Sequence, residues 1–267
     1  MRLVIIGGGN MGGAILIALT KTKKISPKNI LLIENNEEKR ILLTKKTGCL
    51  SQTKIDQSIR DYNLLLIAVK PQGANDILKI VEKCVLPNQL IISVMAGISL
   101  KTLSTKLGHK KVVRVMPNIP AMIAEGMSVF FTSDTLENKE YKWIKLIFTS
   151  CGCCMEVESE DAIDAATAIS GSGPGYLFYF AEQITTSAKS LGFSEKDAIK
   201  LVQKTLLGSI LLWEKQSLSI ENLKHKVCSP NGTTLAAIDH FQSKKVSESI
   251  KEGIQKSYLR AKELSSH

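Results

Sequence analysis

The chain has 267 residues, enough for one large domain or two modest ones around a substantial core. Its 44% hydrophobic and 22% charged residues are ordinary for a soluble globular protein, and its longest apolar runs, such as Leu64 to Val69, are far too short to span a bilayer. The formal charge of +10 comes from scattered lysines in a chain only 5% aromatic, which argues for a solvated surface with a mild pull on anions and against a nucleic-acid groove.

The first predicted strand is Leu3-Val4-Ile5-Ile6. Gly7-Gly8-Gly9-Asn10-Met11-Gly12 follows without a gap, and a helix begins in Gly13-Ala14-Ile15-Leu16. Strand, glycine turn and helix in that order match G-x-G-x-x-G at Gly7, Gly9 and Gly12. Gly7 permits the tight turn, Gly9 lets backbone approach a pyrophosphate, and Gly12 lets the helix pack on the strand. The helix N-terminus then offers N–H groups and partial positive charge to phosphates, so the segment reads as a dinucleotide site. A basic leader is absent before it, and an intracellular, cytoplasmic protein is expected.

Ile30 to Ile33 is a second apolar strand, ending in Glu34-Asn35-Asn36, and Glu37 to Thr47 has helical spacing that stops at Gly48. Leu64 to Val69 is apolar throughout, as a parallel strand covered on both faces should be. Lys70-Pro71-Gln72-Gly73 breaks it before a helix over Ala74 to Val85. Leu90 to Val94 is another buried strand, followed by Ala96-Gly97 and a helix near Leu100 to Leu107. Val112 to Met116 and Ser128 to Phe131 supply two more strands. Cys151, Cys153 and Cys154 raise the question of zinc, but without C-x-x-C spacing or a nearby histidine they read as strand residues in a reducing compartment, and no metal is expected.

Strands alternating with helices indicate an α/β doubly wound, Rossmann-like parallel sheet domain over residues 1–158. From Asp161 onward no β-type run appears, and helices are expected over Tyr176 to Leu191, Ser194 to Glu214, Ile220 to Val227, Thr234 to Gln242 and Val246 to Leu264. Residues 159–267 thus form an all-α C-terminal domain. Ser194 to Asp197 has the S-x-x-D start of a helix. Leu201, Thr205, Gly208 and Leu212 give that helix one small, apolar face suited to close packing.

Two glycine-rich breaks in the helical domain are candidates for a substrate site. Ser170-Gly171-Ser172-Gly173-Pro174-Gly175 precedes the Tyr176 helix, and Ser229-Pro230-Asn231-Gly232-Thr233-Thr234 precedes the Leu235 helix. In the second, hydroxyls and backbone N–H groups converge at a helix start, which suits a carboxylate. The plainer alternative is that Thr233 or Thr234 is an N-cap.

Read together, Ile6 to Met11, Ala68-Val69-Lys70-Pro71-Gln72, Arg114-Val115-Met116-Pro117-Asn118-Ile119-Pro120, Ser170 to Pro174 and Ser229 to Thr234 resemble pyrroline-5-carboxylate reductase, in order, from about residue 2 to residue 264. The resemblance implies hydride transfer from NAD(P)H to the C=N carbon of Δ1-pyrroline-5-carboxylate, giving L-proline. It implies that Gly7, Gly9, Asn10, Met11 and Gly12 hold the pyrophosphate, that Ala68, Val69, Lys70 and Pro71 line the cofactor crevice, and that Met116-Pro117-Asn118 face the nicotinamide. Glu34, Asn35, Ala96 and Gly97, at further strand ends, join the cofactor-binding set. Ser229, Gly232, Thr233 and Thr234 would take the substrate, with Thr234 the catalytic candidate for the hydrogen bond to the ring nitrogen. A neutral threonine is not a strong acid, so relay from water or binding of the iminium form stays open. The resemblance also implies homodimers through the helical domain, often in larger rings, and an active site completed at that interface.

Two departures from the family stand out. Asn231 replaces a second glycine, and asparagine tolerates left-handed backbone. Glu34 suits ribose hydroxyls and would repel a 2′-phosphate, favouring NADH over NADPH, although Lys39 and Arg40 could offset it. The alternatives are a related two-domain reductase of another cyclic imine or a 2-hydroxy acid, and a non-catalytic nucleotide-binding protein.

Overall fold

A run of apolar residues is comfortable as a strand only when both its faces are covered. The computed structural model, which describes residues 1–265, covers them. In chain order the elements are β1 (Leu3–Ile6), α1 (Asn10–Lys21), β2 (Ile30–Ile33), α2 (Glu37–Thr47), β3 (Leu50–Gln52), β4 (Leu64–Ile67), α3 (Ala74–Cys84), β5 (Leu90–Ser93), α4 (Leu100–Leu107), β6 (Val112–Met116), β7 (Gly126–Phe131), α5 (Asn138–Thr149) and β8 (Gly152–Glu156). The strands form one sheet in the order β3-β2-β1-β4-β5-β6-β7-β8. Every residue of β1, β2, β4 and β5 is buried. Alternate side chains feed two cores: Leu3 and Ile5 enter one with Ile15, Leu19 and Phe148, while Val4 and Ile6 enter the other with Leu78, Val81 and Leu103.

The first six strands are parallel, as the sequence predicts. β7 departs from that expectation by running antiparallel to β6, with β8 parallel to β7. The connecting segment 117–125 is shorter than the dozen or so residues a parallel crossover needs, so the chain can only turn back. The order of neighbours reverses at β1 and β4. In open sheets of this kind the crevice beyond the strands' carboxyl ends at that point receives ligands.

After the sheet come α6 (Glu160–Ala166), a π-helical turn (Thr167–Gly171), α7 (Gly173–Ser190), α8 (Glu195–Lys215), α9 (Ile220–Val227), α10 (Thr233–Ser243) and α11 (Val246–Ser265). Ser194 caps α8 by accepting the N–H of Asp197, as the S-x-x-D signal predicts. The segment 170–175, predicted as a break, remains helical: Ser172 N–H bonds the Thr167 carbonyl, and α7 begins at Gly173 rather than Tyr176. Pro174 is tolerated because the first turn of a helix needs no N–H there.

Contacts divide the chain into two compact units, Met1–Ser172 together with the residues from Ser257 onward, and Gly173–Lys256. The division expected near residue 158 follows where β character ends. The structure adds α6, the π turn and the end of α11 to the sheet unit. None of the described helices is long and apolar enough to cross a membrane.

Candidate functional site

The glycine turn follows β1 directly at the reversal point of the sheet. Gly7 has φ of +100°, and a side chain there would meet the Ala68 carbonyl at 2.7 Å, so only glycine fits. A side chain on Gly12 would collide with the Gly7 carbonyl and come within 3.1 Å of the Ala68 methyl. Gly9 differs, because a side chain there would enter open space. Nothing in the protein requires glycine at position 9, whereas a pyrophosphate lying on the backbone does. Gly9 is also the N-cap of α1, with no side-chain cap and no acidic residue in the first turn, so the positive end of the helix stays available to an anion. These residues fit a dinucleotide.

The other predicted cofactor residues lie at the carboxyl ends of neighbouring strands. Ala68 and Val69 touch Gly7, while Lys70 and Pro71 continue outward, exposed. Asn10 is exposed, and Met11 packs against the core below. Ala96 and Gly97 follow β5. Gly97 has φ of +69° and no room for a side chain because Leu264 of α11 lies 2.8 Å from where one would begin. Met116 and Asn118 are half-buried and Pro117 is buried.

Glu34 is buried beside the turn. Its Oε2 accepts the N–H of Gly8 at 2.7 Å and its Oε1 accepts that of Asn36 at 2.8 Å. Each oxygen keeps a second lone pair for a hydroxyl donor. Arg40 makes no ion pair with the carboxylate: its guanidinium contacts the Glu34 carbonyl at 3.4 Å and Glu37 at 3.8 Å. Asn35 and Lys39 are exposed.

In the helical unit, Ser229 to Thr234 makes a tight turn into α10. Gly232 N–H returns to the Ser229 carbonyl at 3.0 Å, and Asn231 has φ of +58°, the left-handed conformation asparagine tolerates. Proline second and a left-handed residue third is the pattern of a type II turn. A side chain on Gly232 would collide with the Ser229 hydroxyl. The N-cap of α10 is Gly232, without a side-chain cap, so neither threonine fills the capping role. Thr233 and Thr234 occupy the first two helical positions, where N–H groups have no partner inside the helix.

The three clustered cysteines lie at β8: Cys151 is buried just before it, Cys153 exposed and Cys154 partly covered. Burial pushes the Cys154 thiol up to about 11, which suppresses its thiolate at neutral pH. Among the described residues no group of three or more histidine, cysteine or acidic side chains is placed to hold a metal.

Spacing along the chain did not reveal two further features. Arg114, only 2% exposed, donates to Glu160 and Asp164 at 2.8 and 2.7 Å and to Ser265 at 3.0 Å. Asn118 bridges Ser170 and Met127. Both join residues far apart in sequence.

A family model described as pyrroline-5-carboxylate reductase dimerisation matches residues 160–264, and one described as NADP oxidoreductase, coenzyme F420-dependent, matches residues 2–97. A pyrroline-5-carboxylate reductase of Aquifex aeolicus is 32% identical over 99% of this chain and 97% of that protein. Among solved structures, a pyrroline-5-carboxylate reductase from Coxiella burnetii superposes with a TM-score of 0.90 at 28% identity, covering 99% of this chain and 98% of that one. A Plasmodium falciparum pyrroline carboxylate reductase with NADP bound superposes with a TM-score of 0.88 at 25% identity, with coverages of 99% and 98%.

Proposed function

The chain belongs to the pyrroline-5-carboxylate reductase family, and from that premise we propose how its residues divide the work of reducing Δ1-pyrroline-5-carboxylate to L-proline with a nicotinamide dinucleotide. The observation that carries the reading is the end-to-end similarity to the Aquifex reductase, which takes in both the glycine turn and the Ser229–Thr234 turn.

The bound dinucleotide supplies the hydride that reduces the C=N carbon. Gly7, Gly9, Asn10, Met11 and Gly12 hold its pyrophosphate at the start of α1, and Ala68 to Pro71, Ala96, Gly97 and Met116 to Asn118 line the crevice. Ser229, Gly232, Thr233 and Thr234 bind the substrate carboxylate and ring nitrogen through hydroxyls and the first N–H groups of α10. A cyclic imine is reactive once protonated. Alignment and one hydrogen bond to nitrogen therefore supply most of what the protein must add. The Thr234 hydroxyl provides that bond.

The chain associates with itself through its dimerisation region. The occupant we propose for the apolar faces of α7 and α8, where Phe178, Tyr179, Leu207 and Ile210 are exposed, is the same region of a second copy, giving a homodimer and, by further contacts, a ring. A cytoplasmic setting accords with six free thiols.

Glu34 makes NADH the preferred donor. Its carboxylate stands beside the turn and, among the described residues, makes no ion pair, so it accepts from ribose hydroxyls and opposes a 2′-phosphate. Glu34→Ser is expected to raise kcat/KM for NADPH relative to NADH about tenfold or more, equivalent to ~1.4 kcal/mol. An unchanged ratio in steady-state assays with both cofactors removes Glu34 from the argument.

A further inference from the structure

Widening a helix by one residue leaves a carbonyl without its usual i+4 partner, and such π turns are frequent at functional sites. The turn at Thr167–Gly171 is closed by Ser172 N–H on the Thr167 carbonyl at 2.8 Å. The Ser170 carbonyl is taken by the side chain of Asn118, whose Nδ2 donates to it at 3.0 Å. The other end of the same amide is also engaged, Oδ1 accepting the N–H of Met127 in β7 at 2.8 Å. With a carbonyl facing one end and an N–H the other, the amide has a single satisfactory orientation. The next residue of the turn, Gly171, fits against Met116: a side chain there would begin 2.9 Å from the methionine's terminal methyl.

We propose that Asn118 is a positioning residue for hydride transfer, holding the Met116–Asn118 wall of the crevice in register through the π turn and β7. The inference rests on the proposed reading that this wall faces the nicotinamide. Asn118 acts through Met116 and Ser170, and both ends of its amide are engaged within the protein. A wall fixed at three points keeps the reacting ring aligned, and a misplacement of about 1 Å can cost about 100-fold in rate. The overall binding of the dinucleotide depends mainly on the glycine turn and changes little.

Asn118→Asp keeps the size and the acceptor for Met127 but sets an oxygen against the Ser170 carbonyl. Gly171→Ala leaves Asn118 intact and pushes on Met116. In both variants kcat is expected to fall about 10- to 100-fold, with the primary isotope effect for reduced cofactor deuterated at the transferred position increased. The Kd of the oxidised dinucleotide by calorimetry, the KM for Δ1-pyrroline-5-carboxylate and the melting temperature should change little, Kd and KM within about threefold. The proposal is overturned if kcat is unaltered in the variants that fold, or if lost turnover is matched by lost cofactor binding or by unfolding in both. A wild-type protein that binds the dinucleotide without reducing the pyrroline overturns the functional reading and the proposal with it. Wild-type turnover with unaltered variants overturns the proposal alone.

Discussion

Arg114→Met is expected to destabilise the fold by about 3–5 kcal/mol, the cost of leaving a buried carboxylate without its cation. The guanidinium lies in β6, 2% exposed, and donates to Glu160 Oε1 at 2.8 Å and Asp164 Oδ1 at 2.7 Å. Ser265, at the end of α11, donates to the same Asp164 oxygen at 2.9 Å, and Glu160 also accepts the N–H of Leu100 at 2.7 Å. The cluster joins the sheet to α4, α6 and the end of α11. Removing Arg114 leaves Asp164, whose side chain is 7% exposed, with one hydroxyl donor. Against a typical total stability of about 5–15 kcal/mol, the loss is large. Urea unfolding measures it. A second substitution, Asp164→Leu, should recover part of the loss, because the unpaired charge goes with it. A cost below about 1 kcal/mol for Arg114→Met would contradict this account of the cluster.

Thr234→Ala is expected to lower kcat about 10- to 1000-fold while leaving the Kd of the nicotinamide cofactor within about twofold, in line with the loss of a single well-placed hydrogen-bonding group in an active site. The substitution should leave the fold intact. Thr234 is at the second helical position of α10, Gly232 is the cap, and the threonine hydroxyl has no structural duty there. Alanine is also a better helix former than threonine. Thr234→Ser, which retains the hydroxyl, should restore much of the rate. Equal losses of turnover and cofactor binding in Thr234→Ala would discard the role.

The strands of the sheet core were legible because each is a short, mainly apolar run with turn residues near its ends, and β1, β2 and β6 match the sequence reading residue for residue. The glycine turn was legible because its spacing directly follows an apolar strand; Gly7 and Gly12 serve local steric purposes, whereas Gly9 faces open space. Elements without a local signal were not. β3 is an edge strand of three residues with Leu50 exposed, so no apolar run marks it. α5 begins after Glu137, an unusual N-cap, whose N–H is accepted by Glu140 at 2.7 Å, so the usual serine, threonine, asparagine or aspartate does not stand at the cap position itself. α6 has seven residues, too few to display a helical period. Ser170 to Gly175 looked like a break because glycine and proline usually make one, whereas here small residues let a π turn pack against Met116. The Arg114 cluster and the Asn118 bridge depend on contacts across 46 to 151 positions and across 9 and 52 positions, which no reading of neighbours can supply.

The Ser229–Thr234 turn was half legible. Its composition suggested an anion cradle or a threonine N-cap, and the structure gives the cap to Gly232, leaving the cradle as the proposed role. Glu34 was correctly placed at the end of β2, but its hydrogen bonds to Gly8 and Asn36 came only with the fold.

Oxidation of reduced nicotinamide cofactor in the presence of Δ1-pyrroline-5-carboxylate, run in parallel with NADH and NADPH, tests the central claim most directly. Rapid turnover with formation of proline, at a higher kcat/KM with NADH, is the predicted result. Measurable cofactor binding with no turnover of the pyrroline by either donor would contradict it.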